Sequence, residues 1–161
     1  NLMWWSPDPR MILYPNKIKI SKSLNSFIKK TPLKITFNKD FEEVIESCSN
    51  IKRLGQKGTW ITKGLKDSFI KLHEKGLAIS VEVWENSKIV GGLYGLDLGD
   101  IFCGESMFSK STNSSKVALV YLAKELKKNN YRFIDCQIPT THLKSMGGEE
   151  ISRDEFLTLM T

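Results

Sequence analysis

Three strand-like runs, AISVEVW, KIVGGLYGL and DIFCG, succeed one another at residues 78–104 with only ENS and DLG between them. Linkers this short join antiparallel neighbours, because a parallel return needs a crossover of about a dozen residues or more. The middle of the chain therefore commits to an antiparallel meander, and the rest must cover it. Upstream, RMILY (10–14) and LKITF (33–37) read as two further short strands, with SKSLNSFIKK between them as a short helix carrying Leu24, Phe27 and Ile28 on one side. Apolar residues then recur at Phe41, Val44, Ile45 and Cys48, the i, i+3, i+4, i+7 spacing of an amphipathic helix. A second such helix holds Leu65, Phe69 and Leu72 inward, with Gly76 as its stop.

Beyond the meander, a helix opening at Asn113 or Ser114 carries Leu119, Leu122, Ala123 and Leu126, and ends in NN before the strand FIDCQ. Ser152 and Glu155 form the capping box of a last helix. Helices flanking a mostly antiparallel central sheet define an α+β fold. The order meander, helix, strand, helix is the layout of GNAT-like acyltransferase folds, although a layout alone does not fix a function. One domain over residues 1–161 is expected, large enough to bury a core without disulfides or metal. Cys48, Cys103 and Cys136 are odd in number and far apart, which suits a reducing cytoplasm. No run approaches the roughly 20 apolar residues of a membrane helix.

The net charge of +6 is unevenly spread: residues 11–39 hold seven lysines and no acid. Such a segment is most often a solvated face, yet it is also what phosphate contact needs. Catalytic motifs of the common kinds are absent from the sequence. His73 and His142 lack a Cys or acid at metal-ligand spacing, and the glycines of GGLYG (91–95) mark close backbone approach within a strand better than a phosphate cradle. Alternation along FIDCQ sends Asp135 and Gln137 to one face and turns Cys136 away as a core cysteine. CGESMFS (103–109) follows the meander and sets Glu105 and Ser106 at a strand end. A lone buried Asp is usually a structural acceptor, but two acids and an amide converging on neighbouring strands suit a cationic or amine substrate. Trp4, Trp5 and Trp60 stand beside Pro, Gly and Thr and not in apolar periodic runs, so a stacking role competes with core packing.

The stretches WWSPDPR (4–10), GTWIT (58–62), HEKGLAISVEVW (73–84), VGGLYG (90–95), FCGESMFS (102–109), SKVAL (115–119), DCQ (135–137) and HLKSMGGEEISRDEFL (142–157), in this order, closely resemble the bacterial leucyl/phenylalanyl-tRNA–protein transferases. The resemblance covers nearly the whole chain. It implies a cytoplasmic enzyme of the N-degron pathway that moves Leu or Phe, and also Met, from Leu-tRNA, Phe-tRNA or Met-tRNA to the α-amine of proteins beginning with Lys or Arg. It implies a GNAT-like catalytic fold with Asp135 and Gln137 as the functional pair: the amide orients the amine, and the carboxylate polarises the amide. Glu105 matches an acid beside the pocket that meets the basic substrate or the aminoacyl group, with Ser106 next to it.

An activated ester needs no metal, ATP or covalent nucleophile, so no cofactor is expected. The amino-acid pocket is expected over Leu93, Phe102, Leu119, Leu126 and Ile134, and Leu122 is a further aliphatic pocket position. Trp60 is the candidate for the terminal adenosine, and Lys22, Lys29, Lys30 and Lys34 for acceptor-stem phosphates. Family members usually carry several dozen residues ahead of the WWSPDPR segment, which this chain lacks; it starts at Asn1 without an initiator methionine, as a fragment or processed form would. Nothing in the sequence demands more than a monomer. The rival reading, an N-acetyltransferase using acyl-CoA, requires a glycine-rich pyrophosphate loop where MFSKSTNSSKV stands, with no glycine. A catalytically dead tRNA-binding fragment is the other alternative, opposed by the intact DCQ and GES.

Overall fold

A computed structural model describes residues 5–51 and 58–161. The elements in chain order are β1 (Arg10–Leu13), α1 (Lys22–Lys30), β2 (Lys34–Phe37), α2 (Phe41–Asn50), α3 (Lys63–Glu74), β3 (Ala78–Glu85), β4 (Lys88–Asp97), β5 (Ile101–Ser109), α4 (Ser114–Lys128), β6 (Phe133–Gln137), α5 (Thr141–Ser145), β7 (Glu149–Ile151) and α6 (Arg153–Met160). A single turn of 3-10 helix at Pro15–Lys17 follows β1. The strands form one sheet in the order β2-β3-β4-β5-β6-β1-β7, antiparallel throughout except at β5–β6.

Local chemistry accounts for most of these limits. Side chains of Ser21, Asp40, Thr62, Thr140 and Ser152 each accept the backbone N–H three residues on, capping α1, α2, α3, α5 and α6. Gly76 ends α3 at a φ of 73°, a left-handed turn that glycine enters without penalty. β5 differs from the expectation: it runs through Glu105 and Ser106 to Ser109, so these residues lie inside the strand and not at its end.

Alternation along the strands sends apolar side chains to both faces. One face, with Val81, Val83, Leu93 and Leu13, is covered by α4 and α1. The other meets α2 and α3 through Phe41, Val44, Ile45, Phe69, Tyr94 and Phe108. A smaller cluster of Ile12, Ile101, Phe133 and Phe156 seats α6. The glycines of GGLYG serve close approach, as expected: a Cβ on Gly95 would collide with the Cys103 carbonyl and with the Phe102 ring, and one on Gly91 would come within 2.5 Å of Ser114 at the start of α4. No helix among the described residues is long and apolar enough to cross a membrane.

Candidate active site

The sheet opens where β5 and β6 part. They pair over three positions only, ending at Cys103 opposite Asp135. Two local irregularities separate them beyond that pair. On β5, Tyr94 faces Ser106 whereas Gly95 faces Gly104, which makes Glu105 the extra residue of a bulge that bends the strand. On β6, Gln137 adopts a left-handed backbone with φ of 62°. A cavity of about 750 Å³ fills the gap. Leu93, Phe102, Leu119, Leu122 and Ile134 give it an apolar wall, Glu105, Ser106 and Gln137 a polar edge, and the exposed Trp5, Trp60 and Ile138 a mouth.

A hydrogen-bonded chain holds the polar edge. The Gln137 amide Nε2 donates to the Gly104 carbonyl at 2.8 Å and lies 3.5 Å from Glu105 Oε1. A carbonyl can only accept, so this bond fixes which end of the amide is nitrogen and leaves Oε1 as an acceptor. Behind it, the Gln137 backbone N–H donates to Asp135 Oδ1 at 3.0 Å. Asp135 is 3% exposed and takes a forked pair from Arg10, Nε to Oδ1 at 3.0 Å and Nη2 to Oδ2 at 2.7 Å. The Arg10 guanidinium in turn lies 4.0 Å from the centre of the Phe156 ring. Cys103 Sγ sits between the two acids, 3.5 Å from Asp135 Oδ2 and 3.8 Å from Glu105 Oε1.

Burial pushes the Glu105 carboxyl above its usual range, and the nearby Asp135 charge adds to the rise against opposing hydrogen bonds from Cys103 and Gln137. The Cys103 thiol is driven far up by burial and then by Asp135 and Glu105, so it stays protonated. Burial with the Asp135 charge also raises Cys136, to about 12. His142 shifts the other way: burial and then Lys116 favour its neutral form, and its Nε2 is buried with no hydrogen-bond partner.

Several expected residues meet here. Glu105, Ser106, Gln137, Trp60, Leu93, Phe102, Leu119 and Ile134 all line the cavity. Three expectations are corrected. Leu126 lies in the core cluster under α4 and not on the cavity wall; Leu122, one turn nearer the open end of the strands, takes that place. Asp135 does not line the cavity: it binds the backbone N–H of Gln137, not its side-chain amide, and its charge is answered by Arg10. Cys136 is half-buried on the cavity wall, because Ile134 and Cys136 share the face that looks toward α4. His142, set aside above as a metal ligand, and Leu143 also line the cavity, and Arg10 supports it from outside; the only mark of Arg10 in the sequence is its place in WWSPDPR, which periodicity does not interpret. Trp4 lies outside the described residues. Lys22, Lys29, Lys30 and Lys34 are exposed; the first three stand on α1, which covers the same sheet face as α4, whereas Lys34 on β2 is opposite Trp84, on the other face. The start of α4 is closed by serines: Ser114 Oγ reaches the Val90 and Ser111 carbonyls, and the Ser115 N–H reaches Ser109 Oγ at 3.4 Å.

Among solved structures, a conserved protein of unknown function from Bacteroides thetaiotaomicron superposes with a TM-score of 0.63 at 14% identity, over 85% of this chain and 53% of its own. A GCN5-related N-acetyltransferase from Kribbella flavida superposes with a TM-score of 0.51 at 6% identity, over 91% and 55%. These likenesses establish the acetyltransferase-type fold. In sequence, the leucyl/phenylalanyl-tRNA–protein transferase of Christiangramia forsetii is 52% identical over 161 residues, which are 99% of this chain and 76% of the relative. The family model for leucyl/phenylalanyl-tRNA protein transferase matches residues 12–161. The chain therefore belongs to the leucyl/phenylalanyl-tRNA–protein transferase family and is an aminoacyltransferase.

Proposed function

We propose that this chain moves Leu or Phe, and also Met, from aminoacyl-tRNA to the α-amine of proteins beginning with Lys or Arg, and so marks them for degradation in the N-degron pathway. It acts as a cytoplasmic monomer of one domain, with no cofactor. The observation that carries this reading is a cavity in which an apolar wall meets an amide oxygen and a carboxylate. The wall of Leu93, Phe102, Leu119, Leu122 and Ile134 takes the transferred side chain. Apolar pockets separate ligands differing by a methylene by only about 1–3 kcal/mol, so several large side chains compete for it. Trp60 at the mouth offers a face to the terminal adenosine, and Lys22, Lys29, Lys30 and Lys34 offer charge to the acceptor stem.

The reaction asks for positioning more than for activation. An α-amine has a pKa of about 8, so a useful fraction is neutral near physiological pH. The Gln137 Oε1 accepts a hydrogen bond from that amine and aims its lone pair at the ester carbonyl. Glu105 faces the cationic side chain of the acceptor residue and selects Lys or Arg. The new C–N bond forms as the ester C–O bond breaks, and the proton lost by nitrogen leaves with the ribose hydroxyl. Holding the two reactants in register supplies much of the acceleration.

Labelled Phe-tRNA offered with a peptide beginning with Arg, and with an Ala-started control, tests this directly. Transfer to the Arg peptide alone is expected. Transfer to both peptides would remove the acceptor rule, and transfer to neither would overturn the reading.

A further inference from the structure

We propose that Arg10 is a positioning residue for the transfer reaction: it fixes the Asp135 carboxylate, and through it the backbone that aims Gln137. The inference rests on the reading of Gln137 as the group that meets the amine. Three observations carry it.

The first is strain. A glutamine at φ of 62° occupies a region that non-glycine residues rarely hold, and such a conformation persists only where its surroundings over-determine it. The Asp135 Oδ1 bond to the Gln137 N–H, two residues on, holds it from its own strand, beside the register of Gln137 with Met11 of β1. Were that carboxylate to turn away, Gln137 would relax toward extended backbone and carry its amide off the Gly104 carbonyl.

The second is the fork. Arg10 engages both oxygens of Asp135 at once, so the carboxylate plane is set as well as its charge. A point charge would neutralise Asp135 without fixing its rotation. The third is support. The guanidinium is itself held from behind by the Phe156 ring, with Ser6 Oγ at 3.4 Å from Nη1. Arg10 does not line the cavity, so it acts on the substrate only through other residues, Asp135 first among them.

A structural ion pair would stabilise the fold and leave turnover per folded molecule untouched, which separates the two roles. The test compares Arg10→Met, Arg10→Lys, Phe156→Leu and the double variant Arg10→Met/Asp135→Asn with the wild type. Transfer from Phe-tRNA is measured per folded molecule, and the Gln137 backbone amide is followed by 1H–15N NMR. In Arg10→Met, kcat is expected to fall by about tenfold or more, the loss appropriate to a charge-assisted pair. KM for Phe-tRNA should move by less than about twofold, since uniform binding is not what is lost. The Gln137 amide resonance should shift, because its acceptor is no longer held. The double variant should recover part of the lost rate, since an asparagine in place of Asp135 keeps an acceptor for the Gln137 N–H without an unpaired buried charge.

Arg10→Lys keeps the charge without the fork and is expected to remain well below wild type in kcat. Should Arg10→Met fail to fold, Arg10→Lys and Phe156→Leu decide instead. Wild-type kcat per folded molecule in Arg10→Met or Arg10→Lys would overturn the proposal, as would an unmoved Gln137 amide. Absence of transfer by the wild type would sink the proposed function and with it a role in transfer, whereas normal wild-type transfer with an unmoved Gln137 amide in Arg10→Met would sink this inference alone.

Discussion

Glu105 is pulled in two directions by its place on the β5 bulge. Burial favours its neutral form, and Asp135 nearby adds to that preference. Because its folded pKa lies above the ordinary carboxylate value, its protonated form contributes stability that is full below about pH 4.5 and is lost as pH rises through the raised value. An acceptor bearing a cationic side chain reverses the preference by pairing with the ionised form. KM for an Arg-started peptide should therefore rise as pH falls through the raised Glu105 value, and Glu105→Gln should flatten that dependence at the high KM that the wild type reaches in acid. A KM that climbs identically on acidification in wild type and Glu105→Gln would assign the effect elsewhere. Gln137→Ala removes the proposed amine acceptor and should lower kcat by about 100-fold to 1,000-fold, the size of effect seen when a preorganised polar group is lost. Near-normal single-turnover transfer would remove Gln137 from the reaction. Asp135 and Gln137 could be picked out from the sequence because they break an apolar strand at period two. Arg10 could not, since its partner lies 125 residues away and no local pattern marks such a pair.

Helical spacing made Leu119, Leu122 and Leu126 one face of α4 but could not tell which end of that face stands over an open cavity. The strands decide it: pairing of β5 with β6 stops at Cys103, so only the part of α4 above the gap looks into free space. Leu122→Ala should alter the ratio of Phe to Leu transferred, because it enlarges the wall that holds the side chain. Leu126→Ala should leave that ratio unchanged and lower stability by about 2–5 kcal/mol, the usual loss for a leucine truncated in a core. A competition assay with both aminoacyl-tRNAs, together with denaturant unfolding, reads both outcomes; a ratio altered equally by the two variants would contradict the placement. β5 itself looked shorter in the sequence than it is. The bulge interrupts alternation at Glu105, so ESMF no longer reads as strand although it pairs to Ser109. α5 and β7, at five and three residues, are too short for any periodicity to announce them.

Lys22, Lys29 and Lys30 on α1 stand on the same side of the sheet as α4, exposed and in no ion pair with an acid among the described residues. Replacing Lys29 and Lys30 by Glu should raise KM for aminoacyl-tRNA and reduce its salt dependence by about one logarithmic unit of slope per lost phosphate contact. A KM and slope indifferent to the change would clear this face of tRNA. The α+β class was legible because a meander with two short turns admits few alternatives; the sheet order was not, because β1 inserts between β6 and β7, far along the chain. That insertion has a consequence for how the molecule comes into being. During synthesis β1 emerges more than 100 residues before either of its neighbours, so through that interval it has two open edges. The meander and its helices are able to form early from local contacts. Closure of β1 against β6 and β7 carries a large loop entropy and comes late. Arg10 travels with β1, so the event that seals the sheet is also the one that delivers the counter-ion to Asp135, and a nascent chain is assembled as a pocket before it is assembled as a catalyst.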